Sequence, residues 1–496
     1  DKYSGDDTPT NSAFTSAYGF KNGGIKGTDL TTYRFGADII LDDLSDLNVT
    51  FGTYSAKLPN VWISNAYTNT GTLVANYDDD YGNCPSTNQY SDFSFTGSNT
   101  KPDCVIASIS DPSNVSGKVD FIAPSFEWPE SRILNITYNR LLPADVEMTL
   151  TYLKSKEEEA LYRIVDTGYP LIGDQPTVPT EKAPDGRPIY NQTQVRGYHA
   201  GLYNVCCGDR EVISAALSKG FRDGDTLITF AYTAQDHTNR SDMTSSTSNS
   251  NFGKTGAIDF NNRIPSTSTY ETEHSFLVTL TSKHYFFGTE APTTFSLVYS
   301  RESGNVKYPT FDTYTSFPGD YKSKAFGYEF NLNDDSSSLL YIPTANDPIV
   351  CYSYKCLDEG SADALAREQA VLDFLYNVWG LENYAGQIAP RDSAGTFPWQ
   401  TSLDLNITQE MPGLRDGDEF IITFALENLL NFINDESGII RYGYYSGRVP
   451  VFDLRIVDGS RYDYSRNAFR YSFDDPFNID RSTTQSLWRA SLGFQY

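Results

Sequence analysis

RILNITYNRLLPADVEMTLTYLKS, Arg132–Ser155, decides the fold class of this chain. In its first half Leu134, Ile136 and Tyr138 alternate with Asn135, Thr137 and Asn139. In its second half Val146, Met148, Leu150 and Tyr152 alternate with Glu147, Thr149 and Thr151. A period of two puts alternate side chains on opposite faces of a strand. Between the halves, Pro143–Asp145 supplies turn residues. The stretch predicts an antiparallel hairpin with one apolar and one polar face.

The same pattern recurs outward from it. Ile228, Phe230 and Tyr232 alternate with Thr229, Ala231 and Thr233 after a turn at Arg222–Asp225. Leu403, Leu405 and Ile407 oppose Ser402, Asp404 and Asn406, and Phe420, Ile422 and Phe424 follow the turn PGLRDGD. Further strand patterns lie at 30–42, 47–57, 272–285, 292–302, 450–457, 462–473 and 486–496, with one or two more near 325–342. About 12–14 strands are visible in all. The long polar stretches 59–128, 168–208, 237–270, 303–325 and 343–397 fall on one side of the pairs and the short turns on the other. A soluble β-sandwich has turns of similar length at both ends. One-sided long loops with dyad-alternating strands favour an all-β antiparallel transmembrane β-barrel. Residues 1–28 read as an amino-terminal loop or truncated start, and 29–496 as the barrel portion with its large loops.

Composition agrees. Tyr (35) and Phe (30) are abundant, as strands prefer. The net charge of −26 opposes binding to nucleic acid phosphates. No apolar run is long enough for a membrane-spanning helix, and a barrel needs none. One segment, SADALAREQAVLDFLYNVWG, reads as a helix with Ser361 as N-cap and Leu365, Leu372, Leu375 and Trp379 on its apolar side.

Cys84, Cys104, Cys206, Cys207, Cys351 and Cys356 lie in polar, loop-like sequence without CxxC spacing, which favours disulfides over zinc. Local pairing gives Cys84–Cys104 and Cys351–Cys356, while adjacent Cys206 and Cys207 either bridge each other or pair elsewhere. Asp78, Asp79 and Asp80 are candidate Ca²⁺ ligands, but their spacing differs from a Ca²⁺ loop and suits a solvated acidic turn. Asn60, Trp62, Asn65 and Tyr67 form an aromatic–amide cluster that either contacts a ligand or plug or packs the loop base on the wall. Trp399, Tyr442, Tyr444 and Tyr445 suit an interfacial girdle. No catalytic grammar such as GxSxG or HExxH accompanies the 64 acidic residues, so the chain does not read as an enzyme.

Four segments carry a resemblance: KLPNVWISNAYTNTG (Lys57–Gly71), SLLYIPTANDP (Ser338–Pro348), GQIAPRDSAGTFPWQTSLDLNITQEMPG (Gly386–Gly413) and FALENLLNFINDESGIIRYG (Phe424–Gly443). In this order and spacing they resemble the carboxy-terminal barrel region of Oar-like TonB-dependent outer-membrane receptors. The resemblance implies part of a twenty-two-stranded barrel in the outer membrane of a Gram-negative bacterium, with extracellular loops. It implies energised passage of a ligand, and as partners membrane lipid, a plug domain and TonB. That branch is also linked to secretion and surface attachment, which leaves a structural or adhesive role as the alternative. No plug is visible in this chain. The closing SLWRASLGFQY resembles the family's last strand, in which Trp488, Leu492, Phe494 and Tyr496 form the barrel-assembly signal.

Overall fold

A computed structural model describes residues 11–25, 30–55, 58–71, 119–165, 171–190, 199–253, 255–288, 291–312, 337–413, 418–442, 447–454, 456–457, 459–465, 480–481 and 486–496. Eleven strands form one continuous wall: β1 (Arg34–Asp42), β2 (Ser45–Ser55), β3 (Glu130–Leu142), β4 (Val146–Ile164), β5 (Ala200–Phe221), β6 (Thr226–Asn239), β7 (His274–His284), β8 (Thr293–Glu302), β9 (Gln400–Pro412), β10 (Glu419–Glu427) and β11 (Arg489–Gln495). Each pairs antiparallel with the next, so spatial order equals chain order. Two short strands, Asp120–Ile122 beside β5 and Ser266–Thr267 beside β6, bring the sheet to thirteen. Among the described residues β1 and β11 do not pair with each other, and no closed barrel forms.

The turns on one side are short, and their local chemistry explains them. The Asp42 carboxylate accepts from Leu44 N at 2.9 Å and from Ser45 Oγ at 2.8 Å, closing the β1–β2 turn. Ala144 and Asp145, and likewise Arg222 and Asp223, take positive φ, which matches the turn twist to that of the flanking strands. At the other end the connections span 56–129, 165–199, 240–273, 303–399 and 428–488.

Register then aligns the alternating residues into one surface. One row runs Ile39, Leu47, Tyr138, Leu150, Ala215, Tyr232, Phe276 across β1 to β7. Another runs Ile228, Leu280, Leu297, Leu405, Leu426, Ala490 across β6 to β11. Within the described residues most of this apolar face is uncovered: Ile213 is 56 % exposed and Leu492 60 %, while Leu426, next to the short helix Leu429–Ile433 at the cap end, is buried. From Val146 to Tyr152 the apolar run on β4 rises about 20 Å. Charged and aromatic groups border it. Lys154 pairs with Glu211 at 3.2 Å, and Trp399 stacks on His274 and carries the Arg301 guanidinium. The opposite face is laced by hydroxyls and amides, with Thr149 donating to Asn139 at 2.9 Å and Ser300 meeting Ser402 at 2.8 Å.

The hydrophobic core lies elsewhere. β4 and β5, the longest strands at 19 and 22 residues, run on past their neighbours into a cap built by the long connections. There Tyr162, Leu202 and Tyr203 are buried with Phe121, Phe311 and Tyr464. Short parallel pairs, Tyr308–Asp312 with Arg448–Asp453 and Val350–Cys351 with Arg461–Asp463, lie within the cap. This corrects the expectation of wall strands at 450–457 and 462–473 where those residues are described, at 450–454, 456–457 and 462–465, while 466–473 lie outside the described residues; a short strand in a packed core carries the same apolar signal.

Other expectations change too. Segment 1–28 contains a helix at Ser12–Tyr18, capped by Asn11, whose Phe14 enters the cap core beside Phe121. Residues 200–208 are strand and not loop. The helix Ala362–Asp373 has Ser361 as its N-cap, its Oγ accepting from Ala364 N at 3.2 Å and donating to Asp358 O at 2.8 Å. Leu365, however, is 54 % exposed, and the buried side is Ala364, Val371, Leu372 and Leu375, continued by Trp379.

Gly201 fixes the entry of β5 into the cap. A Cβ there would meet Phe121 Cζ at 2.4 Å and Tyr203 Cε2 at 2.6 Å, both in the packed core. Gly201→Ala is therefore expected to cost about 1–3 kcal/mol through overpacking. Gly220→Ala, where a Cβ meets nothing within 4 Å, is the neutral comparison. Denaturant midpoints of the two variants read the contrast.

Candidate functional site

The polar joint where β4 and β5 leave the wall and enter the cap is the most elaborate side-chain arrangement in the described residues. It begins with a bulge. Glu157 pairs with Gly208, but Glu159 pairs with Val205, so Cys206 and Cys207 together face Glu158 alone. An extra residue on one strand bends it and re-aims its side chains. Cys206 and Cys207 are bridged, and Gly208 allows the close approach that follows. A Cβ on Gly208 would lie 2.6 Å from Thr238 O and 2.9 Å from Glu159 Oε1.

Glu159 is turned inward by this bend. Its two carboxylate oxygens accept from Arg240 N at 3.0 and 2.9 Å, and Oε2 accepts from Ser241 N at 3.3 Å. These are the first residues after β6, so one side chain on β4 fixes the start of the 240–273 connection. Burial pushes the Glu159 carboxyl up to about 7, against the backbone N–H groups and the Arg391 and Arg240 charges that favour its ionised form.

A second anchor lies beside it. The buried Arg391 guanidinium donates to Asn239 Oδ1 at 3.0 Å and Ser266 O at 2.9 Å, and faces the buried Asp242 carboxylate at 3.7 Å. Asp242 in turn accepts from Asn239 Nδ2 and from Ser268 Oγ at 3.1 Å. A buried ion pair repays its desolvation only with such additional hydrogen bonds. Here it ties the 303–399 connection to the end of β6. Glu271 accepts from His237 N, and burial pushes its carboxyl to about 7 as well.

The aromatic–amide cluster joins the same cap. Residues Asn60–Thr68 form a helix. Trp62 Nε1 donates to Ser245 O at 2.7 Å, and Asn65 Nδ2 donates to Tyr162 Oη at 3.1 Å and Ser246 O at 2.9 Å. Tyr162 Oη returns a bond to Trp62 O at 3.0 Å. Trp62 and Asn65 are thus brought together as cap fasteners between the first and third long connections. Tyr67 packs half-buried on the core, and Asn60 stands exposed.

Other candidates separate. Asp78, Asp79, Asp80, Cys84 and Cys104 lie outside the described residues. Cys351 and Cys356 are bridged beside the cap helix. Cys206 and Cys207, read as loop residues, stand in a strand. Trp488, Leu492, Phe494 and Tyr496 follow the apolar face of β11, with Leu492 opposite Phe424 and Phe494 opposite Ile422. No group of three His, Cys, Asp or Glu suited to a metal occurs among the described residues.

Sequence reading missed Glu159, Asp242 and Arg391. Only Arg391 stands in a quoted segment, and nothing local distinguishes a buried carboxylate from the chain's many exposed ones. No family model and no curated protein sequence matches this chain.

The joint is a titratable fastening. Between pH 4.5 and about 7 the folded Glu159 keeps a proton that the unfolded chain has released, so its contribution to stability falls as pH rises through that window and levels off above it. His199, held down to about 4 by burial, acts oppositely: its contribution is lost as pH falls from 6.5 towards 4. Comparing wild type with Glu159→Gln cancels the histidine. Wild type is expected to lose about 2 kcal/mol relative to the variant between about pH 5 and about pH 8, read from denaturant midpoints.

Proposed function

We propose that this chain is the barrel wall and extracellular cap of a TonB-dependent receptor in the outer membrane of a Gram-negative bacterium. The observation that carries the membrane reading is the apolar face, continuous in register from β1 to β11 and largely uncovered among the described residues. Proteins in water rarely expose contiguous apolar patches beyond a few hundred Å². In lipid that face is the favoured one, and the hydroxyl- and amide-bearing face lines a lumen. Trp399 and His274 at its border then suit the headgroup layer. Short turns lie on the periplasmic side and the cap outside the cell.

The receptor assignment rests on the four-segment resemblance. It brings TonB-driven passage of a ligand past a plug as the mechanism. Edges β1 and β11 would each leave backbone groups unpaired in hydrocarbon, at several kcal/mol per group. In this reading further strands, from a longer chain or a second one, pair with both edges. A structural or adhesive role is the second reading, favoured by one observation: the long connections carry a hydrophobic core of their own and so form an ordered cap. Copurification of a plug-bearing polypeptide with a TonB box separates transport from adhesion.

The membrane reading is tested by charge placed on alternate residues of β7. Leu280, between Ile228 and Leu297, lies at the centre of the apolar face, and Thr279 on the other. Leu280→Arg is expected to cost about 2–4 kcal/mol of insertion stability and Thr279→Arg close to none. Recovery of each variant in the outer-membrane fraction reads the difference, and equal recovery of both contradicts the proposal.

A further inference from the structure

We propose that the Cys206–Cys207 bridge is a thiol-exchange site whose substrate is a small dithiol, and that opening it releases the joint between wall and cap. The inference rests on the joint's geometry and not on which solvent the wall meets. Cys206 is exposed and Cys207 half-buried, so an external thiol reaches the bridge directly. Exposed disulfides are the exchangeable ones.

Adjacency determines which thiol succeeds. A thiolate of the incoming dithiol attacks Cys206 Sγ, forms a mixed disulfide and expels the Cys207 thiolate. The second thiol of the reagent then attacks the reagent's own sulfur, leaves as a cyclic disulfide and expels the Cys206 thiolate. The protein pair gains two electrons and the two protons that the dithiol gives up, and the dithiol is oxidised. A monothiol needs a second molecule to attack the mixed disulfide and finish the reduction, in competition with the protein's own thiolate. The expelled Cys207 thiolate lies one residue away and attacks the mixed disulfide at high effective concentration, which restores the bridge.

Position determines the consequence. The bridge spans the two extra-register residues of the bulge, with Val205 opposite Glu159 on one side and Gly208 on the other. Gly208 is seated between Thr238 O and Glu159 Oε1. The closed ring restricts the backbone torsions of both cysteines, and those torsions place Gly208 and, through it, the Glu159 carboxylate. That carboxylate holds the amides of Arg240 and Ser241. Opening the ring returns rotational freedom to the bulge, and the start of the 240–273 connection loses its fastening. The other described bridge, Cys351–Cys356, touches none of these groups and serves as the internal comparison.

The test treats the full chain, as purified, with dithiothreitol or with 2-mercaptoethanol at equal thiol concentration. Alkylation with peptide mass mapping follows the cysteines, and hydrogen exchange follows the Arg240 and Ser241 amides. Both Cys206 and Cys207 are expected to alkylate after the dithiol and neither after the monothiol. With the dithiol, exchange at the two amides is expected to rise about tenfold, the protection one charge-assisted hydrogen bond supplies. A Cys351→Ser/Cys356→Ser variant is expected to respond as wild type does, and a Cys206→Ser/Cys207→Ser variant to exchange fast without any thiol. Resistance to the dithiol, equal opening by both thiols, or opening with unchanged exchange overturns the proposal. So does slow exchange in the Cys206→Ser/Cys207→Ser variant.

Discussion

Strand register holds the wall together. In a sheet whose side chains alternate strictly, a slip of one residue moves every apolar side chain to the opposite face. Ten consecutive pairings hold register so that Leu, Ile, Phe and Tyr residues remain on one side from β1 to β11. The short turns enforce this locally, through the Asp42 carboxylate in one hairpin and positive φ at Ala144, Asp145, Arg222 and Asp223 in two others. Among the described residues no second layer covers most of the wall, so its apolar face needs a partner from elsewhere. That requirement, and not any single motif, is what the proposed membrane setting answers.

The cap obeys a different logic. Its core is aromatic and buried, and its connections are held by carboxylates that accept backbone N–H groups: Glu159 at Arg240 and Ser241, Asp347 at Thr344 and Ile349, Glu359 at Tyr352 and Ser353. A buried acceptor with several donors orders a loop without a regular ladder. The two regions meet where β4 and β5 outrun the wall, and the bulge at Cys206–Cys207 is the point at which one set of rules gives way to the other. Long connections that pack in this way form a surface module and not a fringe of loops.

Much of the wall is legible in the sequence because its causes are local. Leu134, Ile136 and Tyr138, or Leu403, Leu405 and Ile407, announce their face by period alone, and the Ser361 cap by its residue type. The cap is less legible. Leu365 belongs to an apolar helical pattern yet faces solvent, because the buried side of the helix runs through Ala364, Val371 and Leu372. Arg448–Asp453 looks like a wall strand but pairs in parallel with Tyr308–Asp312. Glu159 meets Arg240, and Arg391 meets Asp242, across separations that no window of sequence spans. The cysteine pair misleads for a related reason, since polar neighbours suggest a loop where a bulged strand stands.

The proposed membrane setting requires the two faces of the wall to meet different solvents. Site-specific nitroxides at successive positions of β7 test it most directly, with the protein in lipid bilayers. Labels at positions 276, 278 and 280 are expected to collide with dissolved oxygen, which concentrates in lipid, and labels at 277, 279 and 281 with a water-soluble nickel complex. An alternating pattern of this phase supports a lipid-facing wall. Uniform access of the nickel complex to both sets contradicts it.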